Sequence, residues 1–234
     1  MLSNQIRMFR WLGIAGILGA AILFIGDILY LYDSSAEVAG LKSISDLPDG
    51  RFLASGISAL IGGWLYTLGA GQLYFALRPS GKLISILTFG FFAAIMIGYG
   101  IAHAAFFSII SGAKDAFLTG AETAVLTELP KKYFYLLVQI LTIPGVIAAI
   151  LFVYAILFRK THYPKWIVVL FPLFLFLLKD MIVEGLTGMS KAVLNGGYEN
   201  MIMLLFFLVS TIVLWNGGKI APADQEYNPI SGKT

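Results

Sequence analysis

The chain has no cysteine. That excludes a disulfide framework, a thiolate nucleophile and any Cys-ligated metal. Charge is scarce too: Asp, Glu, Lys and Arg make up 12% of the 234 residues, about half the share of a soluble domain. A water-soluble fold could not cover its surface with so few charges. There are only two histidines, His103 and His162, and no HExxH, Gly-x-Ser-x-Gly or phosphate-loop string. Disordered, collagen-like and nucleic-acid-binding classes fall for the same compositional reasons. What fills the chain is apolar: 59% hydrophobic residues and a mean hydropathy of +0.85. An integral membrane protein is the reading left.

A spanning helix takes about 20 mostly apolar residues. Six stretches qualify: about 9–32, 52–77, 83–110, 133–158, 166–188 and 198–215. No period-2 alternation recurs, so a β-barrel is excluded. The expected fold is an all-α bundle of six transmembrane helices over residues 1–216, followed by a disordered tail at 217–234. The first span follows Arg7 and Arg10, as a signal peptide would. Its apolar run is longer than an h-region and contains an acid, so it reads as a retained span.

The loops alternate in character. Those at 33–50, 112–130 and 189–199 are acidic, whereas 78–82 and 159–165 are short and basic. The N-terminus, basic loops and tail hold nine Lys and Arg against two acids; the acidic loops, with the flanking Arg51, Lys131 and Lys132, hold six against eight. Positive charge marks the cytoplasmic side. Both termini are therefore expected in the cytoplasm, most simply of a bacterium with this as its inner membrane. The loop at 112–130 carries Phe117, Ala121, Ala124 and Val125 with weak amphipathic spacing. It reads equally as an interfacial helix or a plain loop.

Close approach of small residues holds membrane helices together. Gly13, Gly16, Gly19 and Ala20 supply such a face in the first span; Gly56, Gly62, Gly63, Gly69 and Gly71 in the second; Ala93, Ala94, Gly98 and Gly100 in the third. Pro144 and Pro172 are expected to kink their spans.

Ionisable groups inside a span are expensive and mark function or a wet interior. There are five: Asp27, His103, Lys179, Asp180 and Glu184. With this topology Asp27 and His103 each lie about 9 Å outward of mid-membrane at 1.5 Å per residue. Asp180 and Glu184 lie outward of centre as well, as do Gln139, Glu199 and Asn200. A polar cavity in the outer half of the membrane is expected, with Tyr99, and also Tyr66, deep enough to reach it. Asp27 shares the small-residue face of its helix. The sequence leaves Lys179 either paired with Asp27 or Glu184 or snorkelling from mid-depth, about 100° around the helix from Asp180. One His with carboxylates could hold zinc or manganese, but no ligand motif supports a metal. Ser55, Ser58 and Ser108 are hydroxyls without a nucleophile's context, and serines in spans usually bond a carbonyl one turn back. A Schiff base on Lys179 fits neither the span count nor its position.

Four strings stand in a recognisable order: Gly26-Asp27-Ile28-Leu29-Tyr30, His103-Ala104-Ala105-Phe106, Tyr163-Pro164-Lys165-Trp166, and Asn200 before a Phe-rich last span ending at Trp215. Together they resemble an uncharacterised family of bacterial six-helix membrane proteins. That resemblance implies the six-helix fold and points to Asp27 and His103, with no activity attached. The Gly-Asp string and Gly100-Ile101-Ala102-His103 are also similar to strings of lysoplasmalogenase-type membrane hydrolases, which implies acid–base chemistry on a lipid. Three functions follow as expectations. The cavity binds or translocates a small solute or protons; or it is an intramembrane enzyme acting on a lipid; or the chain is a non-catalytic assembly or sensor subunit. The expected partners are membrane lipids, a small-molecule or lipid ligand and a second copy of the chain.

Overall fold

A computed structural model describes residues 2–31 and 48–217. Most of the first acidic loop and the tail beyond Gly217 lie outside them. The described residues are helical almost throughout and include no strand. The helices are α1 (Leu2–Leu31), α2 (Asp49–Leu77), α3 (Lys82–Thr119), α4 (Thr123–Phe158), the short α5 (Pro172–Phe176) and α6 (Lys179–Glu184), and α7 (Gly188–Leu214). Five of them, α1 to α4 and α7, are long and apolar enough to cross a membrane, which is the build of an integral membrane protein.

Two elements differ from expectation. The stretch at 112–130 is neither loop nor surface helix: α3 and α4 simply continue until they meet. The turn between them is at Gly120, whose φ of +71° favours glycine. Ile109, Ala113 and Ala116 are buried at helical spacing along the seam. At 38 residues α3 is about 57 Å long, well beyond the ~30 Å of hydrocarbon it must cross. Charges end the apolar run near residue 110 but do not end the helix. On α4 the exposed Glu128 and Lys132 pair one turn apart at 2.7 Å.

The expected fifth span is not one helix. After Pro164 the chain forms a 3-10 helix at Lys165–Leu170, then α5, a turn at Leu177–Leu178, and α6. Phe171 is extended (φ −62°, ψ 128°), because the ring of Pro172 disfavours helical geometry in the residue before it. Pro172 therefore starts a new helix where a kink was expected. Pro144, by contrast, stays inside a continuous α4. The pieces climb antiparallel to α7: Tyr163 hydroxyl meets Ser210 Oγ at 2.6 Å, Tyr198 donates to the Leu175 carbonyl at 2.8 Å, and Lys179 reaches Glu199 at 2.9 Å. The Leu175 carbonyl also accepts from the Leu178 N–H at 3.1 Å, so the Tyr198 bond is its second.

The two described ends of the chain meet. Arg10 Nε donates to the Trp215 carbonyl at 2.9 Å, and its guanidinium lies 4.7 Å from the Trp215 ring centroid. Residues 10 and 215 thus share one end of the bundle, called here the near end. Gln72, buried there, donates to the Phe9 carbonyl at 2.8 Å and accepts from Ser210 at 2.7 Å. Above this polar layer Phe92, Phe152, Phe171, Phe206 and Phe207 form one cluster of tilted and edge-to-face rings.

α1 crosses α2 backbone to backbone at the expected glycines. A Cβ added to Gly69 would lie 2.6 Å from Gly16 Cα, and one on Gly19 would lie 3.0 Å from the Gly62 carbonyl. Gly56 is outside this contact, with nothing within 4 Å.

Candidate functional site

A cavity of about 360 Å³ lies in the far half of the bundle, and each of the seven helices contributes to its wall. Asp27 hangs from the last turns of α1, some 25 Å from Arg10 at 1.5 Å per residue. His103 comes from α3, and its Nδ1 stands 3.4 Å from Asp27 Oδ1. Asn200 of α7 donates to the other carboxylate oxygen at 2.6 Å and accepts from Tyr66 of α2 at 2.7 Å. Ser55, also on α2, sits 2.9 Å from His103 Nε2 and donates to the Gly26 carbonyl at 2.7 Å. One hydrogen-bonded chain therefore ties α1, α2, α3 and α7 together around a single carboxylate. Tyr30 stacks on the His103 ring at 4.7 Å between centroids.

The side chains of Asp27 and His103 are 14% and 10% exposed. They are neither sealed in nor fully wet. The second charged pair on the wall is Lys179 with Glu199. Lys179 therefore pairs with neither Asp27 nor Glu184, the partners open to it from the sequence. The break after Phe176 ends one short helix and turns the chain into α6, so that Lys179 reaches α7.

Of the eight residues singled out from the sequence, Asp27, Tyr99, His103, Lys179 and Asn200 line the cavity. Gln139, Asp180 and Glu184 do not; all three are exposed. Asp180 and Glu184 lie on a different face of α6 from Lys179, as their spacing dictates. Among the described residues no three His, Asp or Glu side chains gather as metal ligands would. His162 is at the opposite end, against Gln5 and Phe9.

From the sequence Ser55 reads as a hydroxyl without a nucleophile's context, bonding a carbonyl one turn back; in the structure it donates instead to the Gly26 carbonyl of α1. Its real place follows from a signal that was available: Ser55, Ala59, Gly62, Tyr66 and Gly69 fall at helical spacing on one face of α2. The order Ser55–His103–Asp27 looks like a hydrolase triad. Its geometry is otherwise. Ser55 is 0% exposed, is not on the cavity wall, and gives its proton to Gly26. Its oxygen is left to accept from Nε2–H, while Nδ1 faces the carboxylate. Ser55 thus holds and polarises His103 from behind. A fluorophosphonate probe applied to the folded protein is expected to leave Ser55 unmodified, checked by peptide mass spectrometry. Stoichiometric labelling would make Ser55 a nucleophile after all.

The chain matches the family of unknown function DUF6796 over residues 1–216 and belongs to it. No curated protein and no solved structure matches it.

Proposed function

We propose that this member of the family is a six-pass protein of the bacterial cytoplasmic membrane, with both ends in the cytoplasm. Its cavity, open towards the outer side, binds a small ligand that carries a charged or strongly polar group, for passage of that solute or of protons. The broken segment is counted as the sixth pass, since it climbs beside α7. The charge asymmetry of the loops supports the orientation.

One observation carries this reading: the helix break lies at the cavity. Irregular backbone at membrane depth survives where it is buried in protein or lines a cavity. Discontinuous helices of this kind build substrate sites in membrane transporters. Here the break sets Phe176 and Lys179 on the cavity wall. The near half is filled by the phenylalanine cluster and the Gln72 layer. The cavity is thus one-sided in this conformation, and passage requires the broken segment to move. Its short pieces, joined by turns, suit that movement better than a continuous helix.

A second reading is an acid–base enzyme acting on a lipid. The specific observation in its favour is His103, held between a carboxylate and a hydroxyl on a cavity wall at bilayer depth.

The absence of native cysteine makes the test clean. Single cysteines are placed at Glu122 (hairpin tip), Asn195 (cavity wall) and Lys82 (near end). A membrane-impermeant maleimide added to intact cells is expected to label Glu122→Cys and Asn195→Cys, and Lys82→Cys only after permeabilisation. Labelling of the tip with none at Asn195→Cys would remove the open chamber and leave the scaffold role. The inverse pattern for Lys82→Cys and Glu122→Cys would invert the orientation.

A further inference from the structure

The main cavity does not end at Tyr99. A smaller cavity of about 60 Å³ adjoins it, and Met96, Tyr99, Phe176 and Met203 line both. The two together form a bent space with unlike compartments. The larger compartment carries Lys179 paired with Glu199, and Asp27 with His103 beside it. The walls of the smaller one include Ile95, Leu141, Gly145, Phe171, Pro172 and Leu173. Its one hydroxyl side chain besides Tyr99, Thr142, is turned back to the Val138 carbonyl at 3.3 Å. The slot lies between α4, near Pro144, and the break before Pro172.

The exposed part of the wall includes Tyr135 of α4 and Asn195 of α7. The segment at Lys165–Phe176 packs against α4, and α6 packs on α7. Beyond Phe176 the flanks of the cavity are α4 on one side and α6 with α7 on the other. Tyr135, on the α4 flank, is 62% exposed.

We propose that the ligand is a single-chain amphiphile with a zwitterionic head. The head occupies the charged chamber, its ammonium towards Glu199 and Asp27 and its anion towards Lys179 and His103. The hydrocarbon chain enters the slot between α4 and the broken segment. Both signs stand on the wall, Lys179 against Asp27 and Glu199. A head carrying both charges finds a partner for each, whereas a head of one sign leaves the opposite wall group without one. A slot this narrow holds one chain and not two. This inference rests on the ligand-binding reading above.

The test uses the full chain held in a polymer belt free of detergent. The probe is lysophosphatidylethanolamine with a photoreactive diazirine on its acyl chain. Adducts are expected on the peptides containing Leu141–Gly145 and Phe171–Leu173. Unlabelled lysophosphatidylethanolamine should suppress them. Glycerophosphoethanolamine, the same head without a chain, should need at least a hundredfold higher concentration, since each buried methylene is worth about fourfold in affinity. Palmitate, with chain and anion but no ammonium, should compete at least tenfold less well. Gly145→Phe should reduce the adducts at least tenfold: a Cβ there meets only Ile95 Cδ1, at 3.9 Å, so the added ring fills the slot. If that variant does not fold, the competition series on the unaltered protein decides. Equal competition by the chainless head would overturn the tail site and leave the chamber standing. Equal competition by palmitate would overturn the zwitterionic head. Adducts scattered over lipid-facing positions such as Leu53 and Leu60, suppressed by no competitor, would overturn both this inference and the binding reading it rests on.

Discussion

Asp27→Ala is expected to destabilise the protein by roughly 1–3 kcal/mol and to abolish ligand binding in the cavity. The carboxylate faces two partly buried partners, the Asn200 amide that donates to it and His103 Nδ1 at 3.4 Å. A buried donor left without a partner costs roughly 1–3 kcal/mol. The cavity admits some water, which keeps the total for two donors near the value for one. Asp27→Asn should lose less, because its amide oxygen still accepts from Asn200 while its NH₂ faces His103. Reversible unfolding in mixed micelles gives the stabilities. A double-mutant cycle with His103→Ala isolates the pair; within membranes such couplings average about 0.6 kcal/mol and reach about 1.7. The position of this contact, at the meeting of four helices, places it towards the upper value. A coupling of zero would mean that the two side chains do not interact.

Gly69→Val should cost still more, about 3 kcal/mol or above, seen as loss of monodisperse protein on heating and size-exclusion chromatography. The added Cβ would meet Gly16 Cα at 2.6 Å and Phe207 Cε1 at 2.9 Å. The first of these is backbone and has no rotamer to escape into. α1 must move off α2, and Phe207 must leave the aromatic cluster. Overpacking of this kind typically costs 1–3 kcal/mol, and two close approaches at one site place it at the top of that range. Gly90→Ala is the matched control. Gly90 is exposed on α3 with nothing within 4 Å, and alanine there should leave stability unchanged or slightly raised. Equal loss in both variants would show that glycine flexibility, not close approach, matters at the crossing.

Much of this was legible in the sequence because membranes simplify the code. Apolar run length located both ends of α2, the start of α3 and the C-terminal ends of α1, α4 and α7 within a few residues, but α1 and α7 begin at Leu2 and Gly188, well before the expected 9 and 198. The spacing of Gly16, Gly62 and Gly69 located the crossing. Depth alone selected Asp27 and His103. Three things were not legible. Hydropathy records where a helix leaves the hydrocarbon, not where it stops, so the hairpin beyond Ile110 was missed. Run length also hid the break at Pro172, because Trp166 to Leu178 is apolar enough for a helix whatever its backbone does. The partners of Lys179 and Ser55 depended on that break and on the rotation of α2, which no single helix reveals. Gln139, Asp180 and Glu184 were chosen by depth without a phase, and phase is what turns them outward.

The clasp between Arg10 and Trp215 has a consequence for the order in which the chain is made. α1 leaves the ribosome first and α7 last, yet they pack on each other and together hold the Asp27–Asn200 contact. Until α7 emerges, Asp27 has neither Asn200 nor the Lys179–Glu199 pair nearby. The bundle is then an open arc, with a carboxylate facing lipid or water. Contacts so distant in sequence form slowly. The cavity is thus completed only once α7 has been made, and a chain stopped before α7 would have an acid in the membrane and no site around it.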